Sequence, residues 1–151
     1  MTLPSGRIIS LQFFNSSKAT EIDRAVKDIL KENIFSVKNF LGDVSLSISV
    51  EDQKYCFCAS DTKSAEKTEL CWRIPHRSLR SLFRDYQVIC DSYLSAIREA
   101  QAMRVEAIDM GRRGLHDEGA EIIQEACLEY VTMNHETARK IFSLLYEIWR
   151  R

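Results

Sequence analysis

The chain has 151 residues, 45% of them hydrophobic and 28% charged, which is the length of one domain and an ordinary globular composition. Its 21 basic and 22 acidic side chains leave a formal net charge of −1, so the overall field does not attract a polyanion and nucleic acid is not an expected partner. No apolar run reaches the roughly 18 residues of a membrane span, and Met1 to Asn15 lacks the basic start and long apolar stretch of a secretory signal.

The expected location is therefore the cytoplasm, with no membrane contact. Five cysteines, an odd number without framework spacing, suit a reducing compartment and predict no obligatory disulfide. Five glycines and two prolines offer no obvious linker, so residues 1–151 read as a single domain.

Taken in chain order, Arg7 to Phe14 is rich enough in β-branched and aromatic residues for a first strand. Asn15-Ser16-Ser17 offers capping oxygens. Ile22, Ala25, Val26, Ile29 and Leu30 then follow at helical spacing, predicting a helix that ends near Asn33. Val44, Leu46, Ile48 and Val50 alternate with Ser45, Ser47 and Ser49, the pattern of a strand with one wet face. Tyr55 to Ala59 continues as a second strand after a polar turn, and Thr68 to Ile74 as a third after the charged loop Asp61 to Lys67. Such short connections imply an antiparallel meander. Pro75 ends it.

The second half is helical. Leu79, Leu82, Phe83, Tyr86, Ile89, Cys90, Tyr93 and Ile97 mark one face of a long helix. Val105, Ile108, Leu115, Ile122 and Ala126 mark another. A last helix, capped by Asn134, carries Ala138, Ile141, Phe142, Leu145, Ile148 and Trp149. Strands first and helices later predict an α+β fold, an antiparallel sheet with strands mainly in the first half, packed against a C-terminal set of three helices.

The most distinctive stretch is Ile108-Asp109-Met110-Gly111-Arg112-Arg113-Gly114-Leu115-His116-Asp117-Glu118-Gly119. It is similar to the signature of an uncharacterised protein family of alphaproteobacteria with no assigned activity. Ser49-Val50-Glu51-Asp52, Arg84-Asp85-Tyr86, Cys90-Asp91-Ser92-Tyr93 and Thr137-Ala138-Arg139 resemble it too, so the likeness covers most of the chain. Two departures stand out: Asp117 replaces the asparagine of the family pattern, and Tyr55 to Cys71 is looser than its strand pair. The resemblance implies no catalytic residue.

Three glycines in nine residues cost a helix about 3 kcal/mol relative to alanine, so something must offset them. Ala107, Gly111 and Gly114 share a stripe that would let another helix approach closely, against Ser78, Ser81, Ser92 and Ser95. Alternatively the chain opens there and presents backbone N–H groups with Arg112 and Arg113 to an anion. On a helix the arginines would pair with Asp109 and Asp117, each four residues from Arg113. His116, Asp117 and Glu118 are consecutive and cannot converge on one ion, whereas Asp109, Arg113 and His116 share a face.

Cys56, Cys58 and Cys71, with His76 beyond Pro75, lack the turn spacing of a zinc site, so they read as small buried hydrophobes and no metal or cofactor is expected. Arg77, Arg80 and Arg84 form a short basic stripe diluted by Asp85 and Asp91. No phosphate-binding glycine loop, nucleophile elbow or H-E-x-x-H motif is present. The residues thus favour a non-enzymatic binding or regulatory module that contacts an acidic or phosphorylated protein, or another anionic ligand, through Asp109, Arg112, Arg113 and His116. The alternative is a small enzyme acting on an anionic metabolite, with His116 as acid–base and the arginines as the clamp. A concave pocket at the block would suit an enzyme, and a rim would suit a partner.

Overall fold

The computed structural model describes residues 6–14, 20–63 and 68–151. The elements run β1 (Ile8–Phe14), α1 (Thr20–Lys31), β2 (Phe35–Val37), β3 (Val44–Glu51), β4 (Lys54–Asp61), β5 (Glu69–Pro75), α2 (Arg77–Arg98), α3 (Ala102–Cys127), β6 (Val131–Met133) and α4 (His135–Trp149). The fold is α+β. The capping segment Asn15-Ser16-Ser17 and part of the Asp61–Lys67 loop lie outside the described residues.

β3, β4 and β5 form the expected antiparallel meander, with Ile48 opposite Phe57 and Phe57 opposite Trp72. β1 joins the other edge of β3 in parallel, giving the order β1-β3-β4-β5. A parallel neighbour needs a crossover longer than a hairpin, and α1 with β2 supplies it. The short ribbon of β2 and β6 is not foreshadowed by periodicity, since three-residue strands are too short to show any.

Alternation decides which side of the sheet is buried. Val44, Leu46, Ile48, Tyr55, Phe57, Ala59, Trp72 and Ile74 face inward and are buried. Trp72 stacks between Phe57 and Tyr130 and donates its indole N–H to the Cys127 sulfur at 3.3 Å, which ties the sheet to the end of α3. At the far end of the core, Phe83 and Tyr86 of α2 interlock with Phe142 and Tyr146 of α4. The Asn134 side chain caps α4 by accepting from the Thr137 N–H at 3.0 Å.

The cysteines correct the sequence reading in part. Cys56 is buried, as expected of a small hydrophobe, and Cys127 is buried too. Cys58 and Cys71, however, lie directly across from each other on β4 and β5, with Cα atoms 4.1 Å apart, and are disulfide-bonded on the outer face of the sheet. Chain spacing conceals this, because it does not fix the register of β4 against β5. The Glu69 carboxylate also comes near, so that its oxygen and the two sulfurs lie within 4.8 Å of one another.

The glycine stripe is also corrected. A Cβ on Gly114 would meet nothing within 4 Å, so this glycine is not packed against α2. Gly111 faces the Cδ1 of Ile89, not a serine, and Gly119 lies against the ring of Phe142, which a Cβ would strike. Gly119→Ala should therefore destabilise the fold by about 1–3 kcal/mol through overpacking, while Gly114→Ala should stabilise it by about 0.4–1 kcal/mol. Urea unfolding of both variants checks this, and equal effects would contradict the packing.

Candidate functional site

α2 and α3 form an antiparallel helical hairpin that turns at Ala100, a non-glycine residue with φ of 54°. Its base is well anchored. Leu79, Leu82, Phe83 and Tyr86 of α2 are buried, as are Gly119, Ala120, Ile123 and Cys127 of α3. Its outer half differs: from residue 87 to residue 118 only Ala96 is buried. Val105, Ile108 and Leu115, which the helical pattern assigns to a core face, are only half-buried.

The glycine–arginine block is wholly helical and lies in this outer half. Asp109 collects both arginines. It accepts from Arg112 Nε at 3.1 Å and pairs with Arg113 Nε at 3.0 Å, and the arginines hold its carboxyl below the ordinary carboxylate range, the Arg112 hydrogen bond most of all. The two arginines then diverge, because adjacent helical residues point about 100° apart. Arg112 turns toward α2, where its guanidinium lies 5.4 Å from the centre of the Tyr93 ring, and its side chain is 28% exposed. Arg113 turns outward, 67% exposed.

His116 does not join that cluster. It turns toward α4 between Tyr86 and Phe142, whose ring centroids lie 5.7 and 5.2 Å away. Arg139 Nη2 lies 3.2 Å from its Nδ1, and the Arg139 carbonyl lies 2.8 Å from its Nε2. A guanidinium only donates, so Nδ1 accepts and Nε2 carries the proton, which it donates to the carbonyl. Ser143 Oγ stands 3.1 Å from the same Nε2 and donates to the Arg139 carbonyl at 3.2 Å. Burial drives the imidazole pKa below its usual value, so His116 is a neutral, doubly engaged crosslink between α3 and α4.

Asp117, expected beside Arg113, reaches the other way. It pairs with His135 Nε2 at 3.1 Å and Arg139 Nε at 3.4 Å. Arg139 is thus the hub that sequence reasoning missed, although it stands in the Thr137-Ala138-Arg139 segment that carries part of the resemblance. Tyr86 and Tyr93, one heptad apart on α2, were legible only as core positions.

Two concavities flank these residues. A cleft of about 220 Å³ between α2 and α4 is lined by Tyr86, Cys90, Asp91, Ser143, Tyr146 and Arg150 among others. Burial raises the Cys90 thiol and pushes the Tyr146 phenol up to about 12, so neither is ionised near neutrality. A shallower groove of about 420 Å³ runs between α2 and α3 past Val88, Ile89, Ile108 and Leu115.

The inequality of the arginines is measurable. Arg112→Ala should cost about 1–2 kcal/mol, since it removes a charge-assisted hydrogen bond and the contact with Tyr93. Arg113→Ala should stay within about 0.5 kcal/mol, as an exposed pair does. Thermal melting separates them, and equal losses would contradict the geometry.

The histidines set the pH dependence. His76, packed against Tyr55, is also held below its ordinary value, by burial first and by Arg80 second. Unfolded histidine takes up its proton near pH 6.5 while these two resist, so the unfolded state binds more protons below that pH. Stability should therefore be flat between about pH 7 and 8 and fall as pH drops through 6.5 toward 5, and His116→Gln should flatten part of that slope. Urea titrations of both proteins across this range give the answer, and an unchanged slope would mean that His116 is not held neutral.

Known proteins place the chain. The family described as "Uncharacterised protein family (UPF0262)" matches residues 9–151. The UPF0262 protein of Paramagnetospirillum magneticum is 34% identical over 145 residues, covering 92% of this chain and 90% of that protein. The UPF0262 protein of Rhodospirillum rubrum is 36% identical over 135 residues, covering 88% and 83%. That of Acidiphilium cryptum is 37% identical over 138 residues, covering 89% and 84%. No solved structure matches. With a match along nearly the whole chain, the protein belongs to the uncharacterised family UPF0262.

Proposed function

We propose that this protein is a binding module that engages a protein partner through the outer half of the α2–α3 hairpin, and that Arg113 faces the partner's acidic groups. The observation that carries this reading is the poor burial of that half. Two helices there have one buried residue between them, Ala96. Side chains that would suit a core stand in water instead: Met103 is 88% exposed, Met110 70% and Val88 66%. Isolated helices draw most of their stability from packing an apolar face, so a hairpin left this bare is built to be covered. Methionine is a side chain that adapts to a partner's contours.

The glycine–arginine block supports the same reading. Arg113 and the open Gly114 sit on the convex surface of α3, as a rim rather than the wall of a pocket. For the enzyme alternative, His116 would have to give up its Arg139 contact at one ring nitrogen before it could exchange a proton with a substrate there. Asp109 and Arg112 act, in this reading, as the brace that aims Arg113.

Met110→Glu combined with Arg113→Ala tests the proposal, because both positions are exposed and neither supports the core. The expected result is an unchanged melting temperature together with loss of the proteins captured by the tagged wild-type chain. Capture of the same set by the variant would sink the reading.

A further inference from the structure

We infer that Cys58, Cys71 and Glu69 form a site for one thiophilic divalent cation, zinc being the type, and that the Cys58–Cys71 disulfide is the closed form of that site. The inference is independent of the hairpin, because these residues stand on the other side of the sheet. Phe57, Ala59 and Trp72 are buried in the core, so the alternate residues Cys58 and Cys71 point away from it. Cys71 and Glu69 are exposed and Cys58 is half-buried, so an ion has access from solvent.

Strand register assembles the ligands. Cys58 lies directly opposite Cys71, and Glu69 precedes Cys71 by two positions on the same face of β5. The Glu69 Oε1 stands 3.4 Å from the Cys71 sulfur, and one carboxylate oxygen and both sulfurs lie within 4.8 Å of one another. Tetrahedral zinc, with bonds of about 2.3 Å to sulfur and about 2.1 Å to oxygen, sets its sulfurs about 3.8 Å apart and each about 3.6 Å from the oxygen. The Cβ atoms of a disulfide pair already stand about 3.8 Å apart, so sulfurs released from the bond reach this spacing by side-chain rotation. The backbone can stay where it is. His76, which follows Cys71 in the chain, takes no part, because it packs on the buried ring of Tyr55.

The donor set selects the ion. Two thiolates with one carboxylate suit zinc or cadmium, whereas magnesium and calcium take oxygen ligands. Three negative groups this close repel one another, and a divalent cation offsets that repulsion. Three protein ligands leave the fourth position to water. Opening the site takes two electrons from a thiol reductant: two R–SH reduce the disulfide to two cysteine thiols and leave as R–S–S–R. Zinc then displaces both thiol protons to solvent as the two Zn–S bonds form. Reoxidation by a small-molecule disulfide reverses this, re-forming the Cys58–Cys71 bond and releasing the ion.

Zinc competition against a chromophoric chelator, in the full-length chain, tests the site. Protein reduced with a phosphine, which adds no competing thiol, should bind a single zinc ion, and the disulfide form should bind at least about a hundredfold more weakly. Cobalt(II) added to the reduced protein should give tetrahedral visible bands together with thiolate-to-metal charge transfer. Cys71→Ser should lose at least about a hundredfold in zinc affinity. Glu69→Gln keeps the disulfide, so the oxidised protein should melt as the wild type does, yet the reduced form should lose at least about tenfold in affinity, the scale that even outer-shell partners contribute. Cys56→Ser and Cys90→Ser should bind zinc like the wild type, and melting curves confirm that each variant is folded. Reduced protein that binds no more tightly than oxidised protein makes the bridge a structural disulfide only and overturns the site. So does a Glu69→Gln variant with wild-type affinity, or a loss that follows Cys56 or Cys90 instead of Cys71.

Discussion

The clamp between Arg139 and His116 sets the rotation of α3, and most of what the hairpin presents follows from that rotation. One residue holds the imidazole from two sides, with its guanidinium at Nδ1 and its carbonyl at Nε2. The ring is wedged between Tyr86 and Phe142, so α3 cannot turn without breaking hydrogen bonds in a half-buried place. Helical geometry then fixes the rest. Arg112 falls about 40° from His116 and stays near α2, while Gly114 falls about 160° away, on the far side. Rotating α3 by one position would set Arg113 in the place of Arg112 and move Gly114 off the open surface.

Much of this fold is legible in the sequence because its elements keep their periods. The Ser45, Ser47, Ser49 alternation announces a sheet with one wet face, and Asn134 announces the start of α4 through a cap that does form. What escapes is whatever depends on distant residues. β2 and β6 pair from distant parts of the chain, and Phe35 meets Met133 with no local pattern to signal it. The disulfide depends on the register of β4 against β5, which chain spacing does not reveal.

The candidate site divides in the same way. That Asp109 would pair with an arginine is a matter of helical spacing, and it pairs with two. That His116 would leave the cluster for α4 is a tertiary choice. Phe142 and Tyr86 supply an apolar slot that a neutral imidazole fills better than an arginine would, and Arg139 satisfies both ring nitrogens inside it. Asp117 follows, because with His116 turned inward its neighbour reaches His135 and Arg139 rather than Arg113. No feature of the local sequence distinguishes these outcomes. The roles of neighbouring polar residues on a helix are assigned by what the facing helix offers.

The glycines of α3 carry the same logic beyond the chain. Each costs a helix interior about 1 kcal/mol relative to alanine, so each calls for an offsetting contact. Gly119 has one: the Phe142 ring occupies the place of a side chain there. Gly111 has a partial one in the tip of Ile89, a flexible group that could give way. Gly114 has none within the described residues of this chain. Neither a turn nor a positive φ requires it, since it sits in an unbroken helix and no glycine here has positive φ. A bare helix position that weakens the monomer becomes intelligible if another surface must approach the α3 backbone at that point. The half of the hairpin around it is the half that the fold leaves uncovered, so the missing side chain and the missing cover mark the same face.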